Sequence, residues 1–496
     1  MLKTMSKPIK LLIAAGSITA VVILVLVLRF SGQIEPARKV QLWLTTADQS
    51  NLLTPKEPLA FATSEDTQKL TIDVNSEQRY QTMDGFGAAA TGSSAYLIKQ
   101  QLSAAQREQL MEELFTDTGI SLSFMRHTIG ASDYSVTSDG QSASYTYDDV
   151  EEGKDYELEH FSVEKDTDVI WLLHEIKRKN SQMKLMGTPW SAPAWMKFAG
   201  EQTLNGWYLD YTDPAVYGAY ARYFVKYIQA YEAEGLPIYA MTIQNEPGFT
   251  TADYPSMSMG AEEQVRFIRD YLGPALAAEG ISTKLIGYDH NWDEAAEYAG
   301  TLLGDSGAAE YTDGTAFHCY AGTPDAMSQV HEDFPNKNIY FTECSGGEWN
   351  SDFGDNLSWD MSNLIIGSPR NWAKTVLLWN LALDHEGGPE NGGCPNCRGV
   401  VTIDPSTGEV GKNVEYYALG HASKFVRPGA VRIESTQYSG RIETVAYENP
   451  DASLVLIAAN TSNEEQAFTV RWKSETFDYT LPPKSAVTYK WMSDAN

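Results

Sequence analysis

The chain has 496 residues, enough for a large domain and a smaller one, and its 43% hydrophobic content is sufficient for sizeable cores. Its formal net charge is −29 at pH 7 and its sequence pI is about 4.6. Such a surface repels nucleic acid and anionic lipid headgroups, so a nucleic-acid partner is excluded and a neutral substrate is favoured, although the charge also serves solubility alone.

The N-terminus carries an apolar run over residues 11–28, preceded by three lysines. This is about the minimum length for a membrane span, and the lysines favour a cytoplasmic N-terminus. Arg29 and Phe30 follow directly, without a small-residue cleavage site. The sequence predicts a signal anchor, a transmembrane helix over residues 1–30, with the rest of the chain outside the cytoplasm. Secretion after signal cleavage is the alternative.

From residue 85 onward, short apolar strands alternate with amphipathic helices. The helices are predicted at 104–115, opened by the capping-box pair Ser103 and Gln106, and at 168–179, 214–234 and 261–278. The predicted strands cover 86–89, 122–127, 184–188, 239–244, 284–288, 316–320, 338–342 and 376–381. Eight alternations indicate an α/β fold, a (β/α)8 TIM barrel over residues 85–415.

The pattern changes near residue 416, after which short strands follow without helices. These strands are predicted at 431–433, 443–447, 453–459, 466–472 and 486–491. Two early strands, 40–44 and 69–74, precede the barrel and have nowhere in it to pair. We therefore expect a side all-β domain built from both chain ends, residues 38–84 and 416–493.

The four cysteines fall into two groups. Cys394 and Cys397 form a lone CxxC in a Gly-rich loop, without the second pair that a structural zinc site needs. In an exported protein a local disulfide is favoured there. Cys319 and Cys344 lie at the ends of two neighbouring strands and are expected to be buried free thiols.

Two of the predicted strands end on a glutamate, with Glu246 after the fourth and Glu343 after the seventh. The carboxyl ends of barrel strands carry the chemistry of TIM-barrel enzymes, and strands four and seven face each other across the barrel. Paired carboxylates are what glycoside hydrolysis needs, and retaining enzymes hold them about 5–5.5 Å apart. Asn245 is placed to bind a sugar 2-hydroxyl. The pattern predicts a retaining glycosidase.

Further motifs occur in a fixed order along the chain, at residues 84–87, 125–126, 132–135, 189–197, 244–247, 342–344, 379–383 and 419–425. Together they resemble glycoside hydrolase family thirty, which includes glucosylceramidases and β-1,6-glucanases, from about residue 40 to the C-terminus. The resemblance implies a barrel with a side β-domain made from both chain ends. It also implies that Glu246 is the acid/base and Glu343 the nucleophile.

The resemblance implies substrate-binding roles for other residues as well. Arg126 is expected near the catalytic carboxylates, and the glycone pocket is expected to include Asp133, Trp190 and Trp379. His318 and Tyr320, which end strand six, are expected to line the same pocket, and for His318 a purely structural role is an equal alternative. Asp289, at the end of strand five, is a weaker candidate. Family members usually carry an acid where this chain has Gly92. The resemblance therefore does not predict ligand contacts at this position.

The resulting expectation is a retaining β-glucosidase that resembles glucosylceramidases and acts on glucosylceramide or a related β-glucoside, anchored at a membrane. The alternatives are a β-1,6-glucanase, a β-xylosidase or xylanase, and a catalytically silent carbohydrate-binding protein. The presence of Glu246, Glu343, Asn245 and Arg126 together argues against the silent protein. No cofactor and no metal are expected, and the sequence does not indicate an oligomeric state.

Overall fold

Eight parallel strands form a closed barrel at the centre of the molecule. The computed structural model describes residues 38–62, 70–198 and 203–493. The barrel strands, numbered one to eight along the chain, are Gly85–Ala90, Phe124–Ile129, Lys184–Pro189, Ala240–Thr242, Lys284–Asn291, Thr312–His318, Asn338–Glu343 and Ala373–Leu378. Strand eight pairs with strand one, so the barrel has no free edge. The predicted TIM barrel is confirmed.

Helices follow the barrel strands and bury one face against them. The α-helices are Gly92–Tyr96, Ala104–Phe115, Thr167–Lys179, Pro214–Ala233, Ala261–Phe267, Gly273–Ala278, Ala295–Gly304, Ser306–Tyr311, Asp325–Asp333, Phe353–Trp359, Gly367–Arg370 and Val414–Ser423. The capping box predicted at Ser103 and Gln106 is present. Helix Pro214–Ala233 starts with proline in its first turn and buries a stripe of tyrosines that includes Tyr220 and Tyr227.

The inside of the barrel is layered, and this layering positions the site. An apolar layer fills the barrel, formed by Phe124, Met186, Ala240, Ile286, Ala316, Tyr340 and Leu377. Side chains two residues apart on a strand share a face, so the next inward layer starts two residues later on each strand. That layer is polar on most strands and includes Arg126, Thr188, Thr242, His318 and Thr342. The polar layer at the catalytic end of the barrel therefore lies directly on a layer of apolar side chains.

A nine-stranded sheet packs beside the barrel and has its own core, which includes Val40, Leu456, Trp472 and Trp491. The order across the sheet is Thr54–Ala60, Lys39–Thr45, Ser485–Met492, Ser453–Asn460, Ile442–Glu448, Val431–Ser435, Leu70–Thr82, Gln466–Trp472 and Glu475–Leu481. Strands from before and after the barrel thus share one sheet. Two smaller sheets lie near the barrel mouth: Gly346–Gly347 with Cys397–Arg398, and Ala382–Leu383 with Val401–Ile403 and Val410–Lys412.

One sequence prediction, for a pair of cysteines, is wrong, and another, for the N-terminus, falls on residues that the structure does not describe. Cys319 and Cys344 were expected to be free thiols, but they form a disulfide with a Cα–Cα distance of 5.3 Å. Strands six and seven are neighbours, so the residues that directly follow them are brought side by side. The anchor predicted for residues 1–30 lies outside the described residues, and no helix within the described residues has the length and apolarity to cross a bilayer.

Candidate active site

Glu246 and Glu343 meet at the carboxyl end of the barrel. Glu343 is the last residue of strand seven, and Glu246 lies on the turn after strand four with a φ of 46°. Its backbone nitrogen donates to the carbonyl of Asp289 at 3.0 Å, a bond that helps to hold this left-handed conformation. A carboxylate oxygen of Glu246 and one of Glu343 lie within 4.8 Å of each other. The two carboxylates can therefore flank one sugar ring.

Arg126, on strand two, joins the groups around Glu343. The guanidinium is fully buried and donates to Glu343, to Asn245 Oδ1 at 2.7 Å and to Asp289 Oδ2 at 3.0 Å. Against the opposing effect of burial, the charges of Asp289 and Glu343 raise the pKa of Arg126 further above its usual value. Arg126 is therefore a permanent cation that stabilises the ionised form of Glu343. The structure brings it to the carboxylates, where the sequence placed it.

Asp289 lies at the centre of the polar layer, although the sequence made it only a weak candidate. Its carboxylate accepts from Arg126 and, at 2.7 Å each, from the hydroxyls of Thr242 and Thr342. Burial alone would raise its pKa, but the charges of Arg126 and His318 hold the pKa of Asp289 well below its usual value. Asp289 is thus a fixed negative charge beneath the two glutamates.

His318 lies between two carboxylates. Its Nδ1 is 3.0 Å from Glu246 Oε1, and its Nε2 is 3.0 Å from Asp289 Oδ1. Burial lowers the pKa of this imidazole, but the charges of Glu343 and Asp289 and both hydrogen bonds outweigh that effect and raise it to about 10. In turn, burial raises the pKa of Glu246, while the hydrogen bond and charge of His318 outweigh burial and bring it below the usual value. Tyr320 donates its hydroxyl to Glu343 Oε1 at 2.9 Å.

A cavity of about 330 Å³ opens above these groups. Trp190 and Trp379 form one wall, stacked with ring centroids 5.0 Å apart. Asp133 Oδ1 is buried and has no hydrogen-bond partner among the described residues, and burial together with the charge of Glu343 raises the pKa of Asp133 well above its usual value. Such a group is placed to bind a sugar hydroxyl.

Some residues that line the cavity were not found by sequence reasoning. They are Phe249, Tyr254 and Trp349, which lie on loops where no periodic pattern marks them. The disulfide between Cys394 and Cys397 also lines this cavity. The Gly-rich loop that carries this CxxC therefore reaches the pocket.

Gly92 lies close against the backbone of the loop at residues 134–136. A Cβ at this position would lie 3.0 Å from the backbone nitrogen of Val136 and 3.2 Å from Cα of Ser135. A side chain at position 92 would therefore require this loop, which also carries Asp133, to move by a few tenths of an ångström.

One group among the described residues has the donor atoms for a metal ion: Glu246, His318 and Glu343, with atoms within 4.8 Å of one another. Both ring nitrogens of His318 face carboxylates, and its pKa of about 10 keeps the ring protonated at neutral pH. A protonated imidazole has no lone pair for a metal. The imidazolium itself supplies the positive charge that this cluster needs.

A TIM barrel with two facing glutamates on strands four and seven, a buried arginine and an aromatic-walled pocket defines a hydrolase of O-glycosidic bonds. Comparison with protein families gives the same class in more detail. The chain belongs to glycosyl hydrolase family 30: residues 83–426 match the family's TIM-barrel domain, and residues 429–489 match its beta sandwich domain.

Relatives with two different activities cover most of the chain. An endo-1,6-beta-D-glucanase of Trichoderma harzianum is 38% identical over 80% of this chain and 81% of its own length, and one of Aspergillus fumigatus is 36% identical over 89% and 91%. The lysosomal acid glucosylceramidase of Mus musculus is 31% identical over 85% and 83%. A solved endo-beta1,6-glucanase structure superposes with a TM-score of 0.83 at 36% identity, covering 92% of this chain and 100% of that one.

Proposed function

We propose that the protein hydrolyses β-glucosidic bonds by double displacement with retention, using Glu343 as nucleophile and Glu246 as acid/base. The observation that carries this proposal is the approach of their carboxylate oxygens to within 4.8 Å. Retaining enzymes hold the two carboxyl groups about 5–5.5 Å apart, whereas inverting enzymes separate them by roughly 6.5–9.5 Å to admit a water molecule. The shorter spacing leaves no room for a water molecule between Glu343 and the sugar, so the carboxylate itself can attack the anomeric carbon.

In the first step, Glu343 attacks the anomeric carbon while the bond to the leaving oxygen breaks. Its two carboxylate oxygens are hydrogen-bonded by Arg126 and Tyr320, which orient the group and stabilise its charge. Glu246 donates a proton to the leaving oxygen. A glycosyl ester on Glu343 and a free alcohol are the products of this step.

In the second step, Glu246 accepts a proton from water, which then cleaves the ester. His318 already holds the pKa of Glu246 below its usual value, and formation of the ester removes the neighbouring negative charge of Glu343 and lowers that pKa further, so the carboxylate of Glu246 is the stable form in this step. The imidazolium of His318, 3.0 Å away, stabilises that carboxylate. One residue thereby acts as acid and then as base.

The remaining predicted residues are proposed to bind the glycone. Arg126 fixes Asn245 through its Oδ1, which leaves the amide NH2 to donate to the sugar. Asp133 is proposed to bind hydroxyls, and Trp190 and Trp379 to form the apolar wall. Among these contacts, the hydrogen bond to the sugar 2-hydroxyl should strengthen most in the transition state, because positive charge develops on the adjacent anomeric carbon.

For the substrate, we propose a β-1,6-linked glucan, cleaved internally. The glucanases of Trichoderma harzianum and Aspergillus fumigatus and the solved endo-beta1,6-glucanase support this choice, at 36–38% identity. Glucosylceramide is the second candidate, supported by the glucosylceramidase of Mus musculus at 31% identity. Solved xylanases are at most 22% identical and support the fold alone.

We also propose that the protein acts outside the cytoplasm, as the N-terminal sequence predicts. The two disulfides, Cys319–Cys344 and Cys394–Cys397, support this location because such bonds persist in oxidising compartments. The proposed domain division remains 38–84 with 416–493 around a barrel of 85–415.

The roles are tested with two variants on an aryl β-glucoside that has a good leaving group. Glu343→Gln should abolish turnover. Glu246→Ala should still form the glycosyl-enzyme, and added azide should restore turnover as glucosyl azide of retained β configuration. A Glu246→Ala protein that is as inactive as Glu343→Gln, and that azide does not rescue, would contradict the assignment.

The substrate is tested with wild-type protein on β-1,6-glucan, glucosylceramide and xylan in parallel. Oligosaccharides released from β-1,6-glucan are the expected result. Glucose from glucosylceramide, with the glucan untouched, would favour the second candidate and leave the catalytic roles unchanged. Inactivity on every substrate would make the silent binding protein the next hypothesis.

A further inference from the structure

A group of aromatic side chains is exposed on the loop after strand three. Phe198 is 37% exposed, Trp207 48% and Tyr211 52%, and Tyr208 lies half-buried among them. The ring of Phe198 stacks on that of Tyr208 with centroids 5.6 Å apart, and the centroids of Phe198 and Tyr211 are 5.2 Å apart. We call Phe198, Trp207, Tyr208 and Tyr211 the aromatic platform. None of these residues lines the catalytic cavity.

The platform is held in place by a buried lysine. Lys197 Nζ donates to Ser191 Oγ at 2.9 Å, to the carbonyl of Leu204 at 2.8 Å and to the carbonyl of Ser256 at 3.0 Å. The backbone nitrogen of Phe198 donates to the carbonyl of Tyr208 at 2.8 Å. The aromatic rings are therefore held on an anchored backbone. This anchoring lowers the entropic cost of ordering the rings when a ligand binds.

The platform is hydrogen-bonded to the chain segment that follows Glu246. The backbone nitrogen of Ser258 donates to the carbonyl of Trp207 at 2.8 Å, and Ser258 Oγ lies 3.3 Å from the carbonyl of Pro247, the residue after Glu246. The segment between Pro247 and Ser258 carries Phe249, which lines the cavity and is 43% exposed. These hydrogen bonds therefore tie the platform to the chain segment that carries Phe249 into the cavity wall.

Exposed aromatic rings that cluster beside a cleft mark a binding surface, whereas a single exposed ring is ordinary. Trp359, 43% exposed on helix Phe353–Trp359, is an example of a single ring. Flat rings with polar edges suit the apolar face of a sugar ring and leave its hydroxyls in water. The net charge of −29 opposes an anionic lipid surface and does not oppose a neutral polysaccharide.

We propose that the aromatic platform is a second carbohydrate-binding site, which holds a neutral β-glucan chain outside the catalytic cleft by stacking its sugar rings on Phe198, Trp207 and Tyr211. A polymer long enough to reach from the cleft to the platform gains affinity from both sites, since the second contact forms within the same complex. A small glucoside occupies only the cleft. The inference rests on the proposed glucanase function for its substrate class.

The test compares the double variant Trp207→Ala/Tyr211→Ala with wild type, and uses Trp359→Ala as a control of similar exposure. We expect KM for long β-1,6-glucan to rise about tenfold in the double variant, with kcat and the hydrolysis of an aryl β-glucoside unchanged. The Trp359→Ala protein should match wild type on both substrates. Trp207→Phe/Tyr211→Phe keeps both flat rings and should keep the low KM, which separates stacking from a fold defect.

Binding is measured separately from hydrolysis, by affinity electrophoresis in gels that contain β-1,6-glucan, with Glu343→Gln as the common background. Slower migration that depends on Trp207 and Tyr211 supports the platform even if wild type does not cleave the glucan, an outcome that would overturn only the proposed substrate. Cleavage of the glucan with KM and migration unaffected by the double substitution would overturn the platform alone. Binding to phosphatidylcholine vesicles that depends on the two residues, with unchanged glucan binding, would also overturn it and indicate a lipid surface instead.

Discussion

The charge of His318 predicts how stability depends on pH. Its imidazole lies 3.0 Å from both Glu246 and Asp289, and its pKa in the folded protein is about 10, against an ordinary value of 6.5. Below about pH 6.5 the ring is charged in the folded and unfolded states, so its ion pairs contribute their full stabilisation. Between 6.5 and about 10 only the folded state keeps the proton, and the stabilisation is lost as pH rises through this window.

The size of the effect follows from the same two pKa values. Each pH unit over which only the folded state is protonated costs about 1.4 kcal/mol, so the window from 6.5 to about 10 corresponds to at most about 5 kcal/mol. We expect the free energy of unfolding of wild type to exceed that of His318→Gln at pH 6, and this difference to shrink by that order by pH 10. The assay is urea unfolding followed by tryptophan fluorescence at several pH values.

A matched control is His421, which is equally buried but bonds the hydroxyls of Thr488 and Thr45. Burial lowers the pKa of His421 to about 3, so His421→Gln should change the free energy of unfolding by a constant amount between pH 6.5 and 10. If the His318→Gln difference were equally constant over that range, the imidazole would be neutral in the folded protein. The charge assignment of the site would then be refuted.

Two further predictions concern groups next to the glutamates. Asp289→Asn should lower the free energy of unfolding by about 3–5 kcal/mol, because it leaves two buried cations without their shared anion, and a loss under 1 kcal/mol in urea unfolding would contradict this. Replacing Cys394 and Cys397 with serine should raise KM for an aryl β-glucoside more than it lowers kcat, because this turn pairs with Gly347 and accepts a hydrogen bond from Tyr134 beside the pocket. Steady-state kinetics on the double variant test this, and an unchanged KM would show that the turn does not position the pocket.

The barrel could be predicted because its signals are local. Each barrel strand is a short apolar run, each main helix has apolar residues three or four apart, and the two patterns alternate eight times. The residues that share a face of a strand also follow the alternation: Arg126 lies two positions after Phe124, and Thr342 two after Tyr340, so a polar layer follows an apolar one. Glu343 was identified because it ends a strand.

The less predictable parts of the site are those where alternation breaks. Asp289 lies three residues after Ile286, so regular alternation would turn it away from the barrel interior. The register between strands five and six shifts at Tyr288, and both Tyr288 and Asp289 have positive φ, which turns the carboxylate inward. Tyr254 lies on a loop whose course depends on tertiary contacts, and no sequence pattern identifies it.

The balance of charges explains why these groups belong together. Asp289 lies between Arg126 and His318, so the two cations and this anion leave one positive charge to balance the two glutamates. In the proposed first step the reactive form has Glu246 protonated and Glu343 ionised, and in that form the cluster is neutral before the bond breaks. As the proton moves to the leaving oxygen, the cluster gains one negative charge while positive charge develops on the sugar ring. In the proposed mechanism, proton donation therefore creates, in the same step, the negative charge that stabilises an oxocarbenium-like transition state.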